Sequence, residues 1–159
     1  CEIVPGVSSV AAAPASVGIP LTHRGVAGSF AVVTGHRQPG QADVNWRGLH
    51  GVDTVVVLMG VERLAQIVCG LLTSGRCPGT PVALIENATL CDQRTVTGSL
   101  SNIVQIAEKA DVQPPATIVV GPVVSVGLNN GYGSLPDTGS ARDSTVGSLA
   151  SASPVTQLS

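Results

Sequence analysis

Short apolar runs separated by polar turns dominate the first 126 residues. Several of these runs are rich in Val, Ile, Leu and Ala and are bounded by Gly, Pro or polar residues, which is typical of buried strands. A more polar alternating run predicts one further strand, paired as a hairpin with the strand near residue 83. The predicted strands are residues 29–34, 54–58, 81–85, 93–97 and 117–120, together with the end of a strand at residues 2–4.

Helices are predicted where apolar residues recur every three or four positions. The clearest case places Leu64, Ile67, Val68 and Leu71 on one face. A short helix of Ala and Ser is expected after an N-cap at Ser8 or Ser9, with a kink at Pro14 possible. The predicted helices are residues 10–17, 61–73 and 99–110, with one helical turn at residues 46–49. Strands alternating with helices predict an α/β fold with a mixed, partly parallel sheet flanked by helices.

The composition changes after Val126. From about residue 128 the chain is rich in Ser, Gly, Thr and Pro and shows no apolar period. Such a segment cannot bury enough surface to offset its ordering entropy. The sequence therefore predicts an α/β domain at residues 1–127 and a disordered tail at residues 128–159.

Charge and composition exclude several classes of partner. The net charge is −2 in 159 residues, so no global field attracts nucleic acid or an anionic membrane. No apolar run reaches the roughly 20 residues of a membrane span, and no leader is evident. Charged residues make up only 11% of the chain. This low share fits a surface covered by a partner domain or subunit, and it fits an alanine-rich composition bias equally well.

The cysteines indicate a cytoplasmic protein with free thiols. No pair has C-x-x-C spacing, and the three histidines are scattered, so no metal site is expected. Cys69 is predicted to lie in the core, on the apolar face of its helix. The cysteines are Cys1, Cys69, Cys77 and Cys91, and the histidines are His23, His36 and His50.

Several motifs occur in a fixed order along the chain. They are Val-Pro-Gly-Val-Ser-Ser at residues 4–9, Gly-Ile-Pro-Leu-Thr-His-Arg at 18–24, Val-Thr-Gly-His at 33–36, Leu-Met-Gly at 58–60, Ile-Glu-Asn-Ala-Thr at 85–89 and Pro-Ala-Thr-Ile-Val-Val-Gly at 115–121. In this order, residues 2–125 closely resemble the C-terminal half of the uroporphyrinogen III C-methyltransferases, which belong to the tetrapyrrole methylase family.

The resemblance implies S-adenosylmethionine as the cofactor. It assigns cofactor contacts to loops at the carboxyl ends of buried strands, where a donor can be aligned with its acceptor and shielded from water. Residue types leave alternatives open: Ser8 and Ser9 would serve equally as helix caps, Met59 as a core residue and Ala116 as a structural one. Ala88 stands where the family has Gly, and would be strained if its φ were positive. The implied residues are Ser8, Ser9, Met59, Gly60, Ala88 and Ala116.

The resemblance also implies a tetrapyrrole substrate bearing several carboxylates. Arginine binds carboxylates through two parallel hydrogen bonds, so basic groups at the pocket mouth are expected. The candidates are Thr22, His23 and Arg24, with Arg94 as a weaker one. His23 could instead be a buried structural histidine, and Arg24 could pair with an acid outside this chain.

The family's glycine-rich cofactor loop and its proposed catalytic residues have no match in this sequence. The catalytic residues are therefore unknown and are expected upstream of Cys1, in an N-terminal half that would be a partner of this chain. The resemblance implies a homodimer that makes precorrin-2 for sirohaem or cobalamin, with the isolated chain inactive. Two alternatives stay open: a methyltransferase for a later corrinoid intermediate, and a non-catalytic dimerisation or interaction module.

Overall fold

The computed structural model describes residues 1–36 and 43–129 and contains one five-stranded sheet. The strands lie side by side in the order β1-β2-β5-β3-β4. Each is short and, except at the two edges, buried. The strands are β1 (Phe30–Thr34), β2 (Thr54–Leu58), β3 (Pro81–Glu86), β4 (Arg94–Ser99) and β5 (Ala116–Val120).

The sheet is mixed, as the sequence predicts. Strands β1 and β2 are parallel, whereas β5 is antiparallel to both β2 and β3. Strands β3 and β4 form the predicted hairpin, with Ala83 opposite Thr97. The predicted α/β class with a partly parallel sheet is therefore confirmed. Because β1 and β2 are parallel, their carboxyl ends meet at the same end of the sheet.

Helices cover both faces of the sheet. On one face α2 and α3 bury Ile67, Leu71 and Ile103 against strand residues such as Leu84 and Ile118. On the other face α1 and α4 pack against the side chains that point the opposite way, because successive strand residues alternate between faces. The helices are α1 (Ser9–Ser16), α2 (Leu64–Thr73), α3 (Ile103–Lys109) and α4 (Val123–Asn129), with 3₁₀ turns at Trp46–Leu49 and Val61–Arg63.

Capping residues define where helix α1 begins and ends. The Ser8 hydroxyl accepts a hydrogen bond from the Val10 amide at 3.3 Å, which satisfies one of the free donors of the first turn. The helix continues through Pro14 and ends before Gly18, whose φ of 69° is left-handed. The cap that orients the start of α1 also fixes where Ser9 lies.

Two predictions near the surface are wrong. Residues 2–4 form no strand, because no strand in the described part of the chain pairs with them; Ile3 and Val4 are exposed. Cys69 is exposed rather than part of the core. It follows Ile67 by two residues, and two residues of an α-helix rotate the side chain about 200° to the opposite side.

Helix boundaries account for the other differences. The helix predicted at residues 99–110 begins only at Ile103, because β4 extends to Ser99 and a turn closes there, with the Ser99 amide bonded to the Asn102 side chain at 2.8 Å. Helix α4 was not predicted, and the domain boundary proposed after residue 127 falls inside it. The rest of the predicted tail, residues 130–159, lies outside the described residues, as do residues 37–42.

Within residues 1–36 and 43–129, no helix is long and apolar enough to cross a membrane. In the same part of the chain, no three His, Cys, Asp or Glu side chains lie close enough together to hold a metal ion.

Candidate functional site

A cavity of about 670 Å³ lies at the end of the sheet where β1 and β2 finish. One wall is formed by the carboxyl ends of these two strands, a second by the loop after β3, and a third by the start of β5. The first residue of α1, Ser9, also reaches the cavity. Residues lining it include His36, Met59, Ala88, Leu90, Pro115 and Ala116.

Glycines allow the carboxyl ends of β1 and β2 to lie close together. The Gly35 amide donates to the Leu58 carbonyl at 2.7 Å, and a Cβ on Gly35 would lie only 2.5 Å from the Gly60 Cα. Gly60 itself is buried, where a Cβ would meet Ile118 and Ile67 at 2.8 Å. This close approach turns the chain at Met59, whose φ is 52°, and leaves that side chain 66% exposed at the cavity.

Left-handed backbone is concentrated around the cavity. Four non-glycine residues among the described ones have positive φ: Met59, Asn87, Thr89 and Asp111. The first two line the cavity, Thr89 lies between two lining residues, and Asp111 lies three residues before another. Such conformations cost about 1–3 kcal/mol each and persist only where the surrounding structure enforces them. Among the described residues, left-handed backbone therefore occurs in the loops of the cavity and at the capped end of α3, where the Val112 amide donates to the Ala107 carbonyl at 3.1 Å.

An ion pair between a buried glutamate and a half-exposed arginine lies behind the second and third walls of the cavity. Glu86, the last residue of β3, is 4% exposed and forms a salt bridge with Arg94 on β4. Its Oε1 accepts from Arg94 Nη2 at 2.9 Å and from the Gln113 amide at 2.7 Å. Arg94 Nη2 also donates to the Asp111 carbonyl at 2.8 Å. The hydrogen bond with the Glu86 carboxylate is the main cause that raises the pKa of Arg94.

The cavity brings together four of the six cofactor residues that the sequence implies. Ser9, Met59, Ala88 and Ala116 line it. Ser8 does not, because it caps α1, and Gly60 packs against the core instead. Met59 is no core residue in this chain.

The substitution at Ala88 is accommodated without strain. Ala88 is absent from the positive-φ residues, whereas its neighbours Asn87 and Thr89 have φ of 46° and 71°. The condition under which Ala would be unfavourable at this position is therefore not met.

The substrate candidates lie elsewhere. Thr22, His23 and Arg24 are exposed on the loop that leads into the amino end of β1 and do not line the cavity. His23 is exposed and bonds through its backbone to Val26 and Ala27, so the buried-histidine alternative is wrong. Arg94 is half exposed and bound to Glu86 and to the Asp111 carbonyl.

Sequence reasoning missed several lining residues. His36, at the carboxyl end of β1, and Glu62, in the turn after β2, are the titratable side chains of the cavity. His36 belongs to the Val-Thr-Gly-His motif, and its position two residues after the end of a strand was the available signal. Glu62 had none, because a charge in the first turn of a helix is usually solvated.

The chain is similar to a known family and to known methyltransferases. The family Tetrapyrrole (Corrin/Porphyrin) Methylases matches residues 1–104. A uroporphyrinogen-III C-methyltransferase of Priestia megaterium is 47% identical over 126 residues, covering 78% of this chain and 53% of the relative. An S-adenosyl-L-methionine-dependent uroporphyrinogen III methyltransferase of Methanosarcina barkeri is 43% identical, covering 77% of this chain and 49% of the relative.

A solved structure gives the same fold. The uroporphyrin-III C-methyl transferase of Thermus thermophilus, complexed with S-adenyl homocysteine, superimposes with a TM-score of 0.68 at 41% identity, covering 79% of this chain and 52% of that one. The chain thus spans about half the length of the relatives that it matches. By the family match over residues 1–104, which is more than half of its length, the chain belongs to the tetrapyrrole methylase family.

Proposed function

We propose that this chain is the C-terminal half of an S-adenosylmethionine-dependent uroporphyrinogen III C-methyltransferase, which makes precorrin-2 for sirohaem or cobalamin. The observation that carries the proposal is the cavity at the carboxyl ends of β1 and β2, which gathers Ser9, Met59, Ala88 and Ala116. The identity of 47% and 43% to relatives with this name supports uroporphyrinogen III over a later corrinoid as the acceptor.

The residues present fit the cofactor. The cavity volume of about 670 Å³ falls within the roughly 300–1,000 Å³ of small-molecule sites. Its walls are mainly apolar, and the Met59 thioether is free to pack against an adenosyl group. Ser9, Asn87 and Thr117 supply neutral polar groups beside His36 and Glu62. When bound, S-adenosylmethionine supplies a methyl group already activated on sulfur.

The residues of this chain then have to bind the donor and the acceptor, orient them, and exclude water from the cavity. The Gly35–Leu58 hydrogen bond fixes the wall that carries Met59. Asn87, in left-handed backbone, begins the loop after β3 that forms the second wall. Because the methyl donor is already activated, holding donor and acceptor in line accounts for most of the required catalysis.

Assignment to the C-terminal half rests on the order of the motifs and on what the chain leaves open. Met59 is 66% exposed at the cavity, and Ile3, Val4 and Val7 are 80–88% exposed before α1. We propose that an N-terminal half covers both regions and contributes the catalytic residues. We also propose a homodimer, supported by exposed Phe30 and Val32 on the edge strand β1, and a cytoplasmic location, supported by four free cysteines.

Binding of S-adenosylhomocysteine, measured by calorimetry, tests the proposal. The chain extended by its upstream coding sequence should bind it and methylate uroporphyrinogen III, whereas residues 1–159 alone should bind it poorly. In the extended protein, Met59→Ala should weaken binding by about 1–3 kcal/mol through lost packing, with thermal stability unchanged. An extended protein that neither binds the cofactor nor methylates the tetrapyrrole would sink the proposal and favour the interaction module.

The homodimer has its own measurement. Sedimentation equilibrium should give a dimer for the extended protein and a monomer for Val32→Lys, with Glu108→Lys on the exposed side of α3 as the control. A monomeric parent protein at tens of micromolar contradicts the dimer without touching the cofactor assignment.

A further inference from the structure

We infer that Glu86 and Arg94 are positioning residues that hold the third wall of the cavity, residues 111–117, in the geometry that the cofactor requires. This inference rests on the proposed function, because it concerns the same cavity. It also assigns Arg94 a role different from the substrate contact that the sequence implies.

The two side chains lie behind the cavity and outside it. Neither lines it, whereas the residues on either side of Glu86 in sequence, Ile85 and Asn87, do. The Glu86 carboxylate is instead bound by the Arg94 side chain and the Gln113 amide. Its effect on a ligand must therefore pass through the backbone that it holds.

That backbone leads directly into the lining residues. Glu86 accepts from the Gln113 amide at 2.7 Å, and Arg94 donates to the Asp111 carbonyl at 2.8 Å. The next residues, Pro114 to Thr117, line the cavity. The Asn87 amide donates to the Pro115 carbonyl at 3.1 Å, which links the second wall to the third.

The ion pair also borders two residues in left-handed backbone, the second of which lies at the capped end of α3. Asn87, directly after Glu86, has φ of 46°, and Asp111, whose carbonyl Arg94 binds, has φ of 49°. A residue held in left-handed backbone relaxes unless neighbouring contacts enforce it. Arg94 contacts the end of β3 and the end of α3 at once, because its planar guanidinium reaches the Glu86 carboxylate and the Asp111 carbonyl together.

Stability alone does not account for such a pair. Glu86 is buried and Arg94 is half exposed, so desolvation of the carboxylate and solvent screening of the arginine both offset the attraction between them. A buried carboxylate that fixes two loops at a ligand cavity instead specifies one arrangement of those loops.

The experiment compares Arg94→Ala, Arg94→Lys and a control, Asp53→Ala, in the extended protein. Asp53 organises the opposite end of the sheet, so its loss lowers stability without reaching the cavity. The first measurement is hydrogen exchange at the Asn87 and Gln113 amides. The second is the Kd of S-adenosylhomocysteine, with melting temperature recorded for every variant.

We expect Arg94→Ala to speed exchange at both amides and to raise Kd by about tenfold, the effect of losing one charge-assisted hydrogen bond. Arg94→Lys should recover part of both losses, because a lysine can pair with Glu86 but cannot reproduce the fork. Asp53→Ala should lower the melting temperature and leave Kd unchanged. If Arg94→Ala does not fold, Arg94→Lys decides by the same two measurements.

Three results overturn the inference: unchanged exchange in Arg94→Ala, an unchanged Kd despite faster exchange, or an equal rise of Kd in Asp53→Ala. Failure of the parent protein to bind S-adenosylhomocysteine is a separate result, since it removes the proposed function. The exchange measurement then decides by itself whether the pair holds residues 111–117.

Discussion

At the amino ends of β1 and β2, side-chain hydrogen bonds join the neighbouring loops, whereas at the carboxyl ends of these strands a cavity opens. The Asp53 carboxylate at the amino end accepts from the Gly28 and Ser29 amides at 2.9 and 3.1 Å and from the Ser29 hydroxyl at 2.9 Å. Arg76 donates there to the carbonyls of Leu49, Val52 and Asp53. At the carboxyl end, Met59 and Leu90 remain exposed.

The two ends also differ in how they tolerate unusual backbone. The amino end uses glycine: Gly121 has φ of 148°, and a Cβ there would lie 2.6 Å from the Asp53 carbonyl oxygen. Around the cavity, Met59 and Asn87 adopt left-handed backbone without being glycine. Asn adopts this backbone more readily than most residues, so Met59, which is exposed at the cavity, is the clearer departure from glycine. The comparison therefore separates the end that maintains the fold from the end that is arranged for a ligand.

The largest expected effect is at Arg76. Replacing it with Met keeps the apolar stem but leaves the carbonyls of Leu49, Val52 and Asp53 without their cationic donor. We expect a loss of about 3 kcal/mol in the free energy of unfolding, measured by urea denaturation, with no change in cofactor affinity. The exposed Arg47→Met is the control and should stay within about 0.5 kcal/mol. A drop in cofactor affinity would break the separation of the two ends.

A smaller loss is expected for Gly121→Ala. The added Cβ would meet backbone at Asp53, which cannot move aside as a flexible side chain can, and the φ is unfavourable for Ala. About 2 kcal/mol should be lost. Gly51→Ala, where nothing lies within 4 Å of the new Cβ, is the matched control. Equal stability of the two variants would contradict the close approach of β5 to the segment before β2.

A pH-dependent effect is expected at Asp53. Its hydrogen bond from the Ser29 hydroxyl, followed by the Gly28 amide, lowers its pKa below the ordinary aspartate value. The stabilisation is therefore present above the unfolded-state pKa of about 3.9 and is lost as the pH falls through the lower folded-state value. Unfolding measured between pH 7 and pH 2 should show a steeper acid loss for the parent protein than for Asp53→Asn. Parallel curves would count against the assignment.

Local pattern was sufficient for most of the fold. Residues 55–58 form a continuous apolar run that follows Asp53 and Thr54 and ends at Met59-Gly60, so strand β2 was predicted with its observed bounds. Helix α4 could not be predicted this way, since Ser125, Gly127 and Asn129 interrupt its apolar period. It forms because tertiary contacts override propensity: a Cβ on Gly127 would lie 2.6 Å from Ile19, so the helix packs closely beside the end of α1.

The site was less accessible to sequence reasoning than the fold. Motif resemblance pointed to Met59, Ala88 and Ala116, but nothing local indicates that Glu86 and Arg94 would bind the residues before β5. Arg94 and the Asp111 carbonyl are 17 positions apart and meet only because β3 pairs with both β4 and β5. Contacts of this kind depend on strand order, which periodicity does not encode.

The smallest expected effect sharpens the comparison within two adjacent residues. Ser8 caps α1 and Ser9 lines the cavity, although the sequence offers both as caps and as cofactor contacts. Ser8→Ala should lower the free energy of unfolding by about 1 kcal/mol through the lost cap and leave cofactor affinity unchanged. Ser9→Ala should show the reverse, with unchanged stability and a higher Kd for S-adenosylhomocysteine in the extended protein. If both substitutions lower stability alone, Ser9 has a structural role. The cofactor would then contact the carboxyl ends of the strands and not α1.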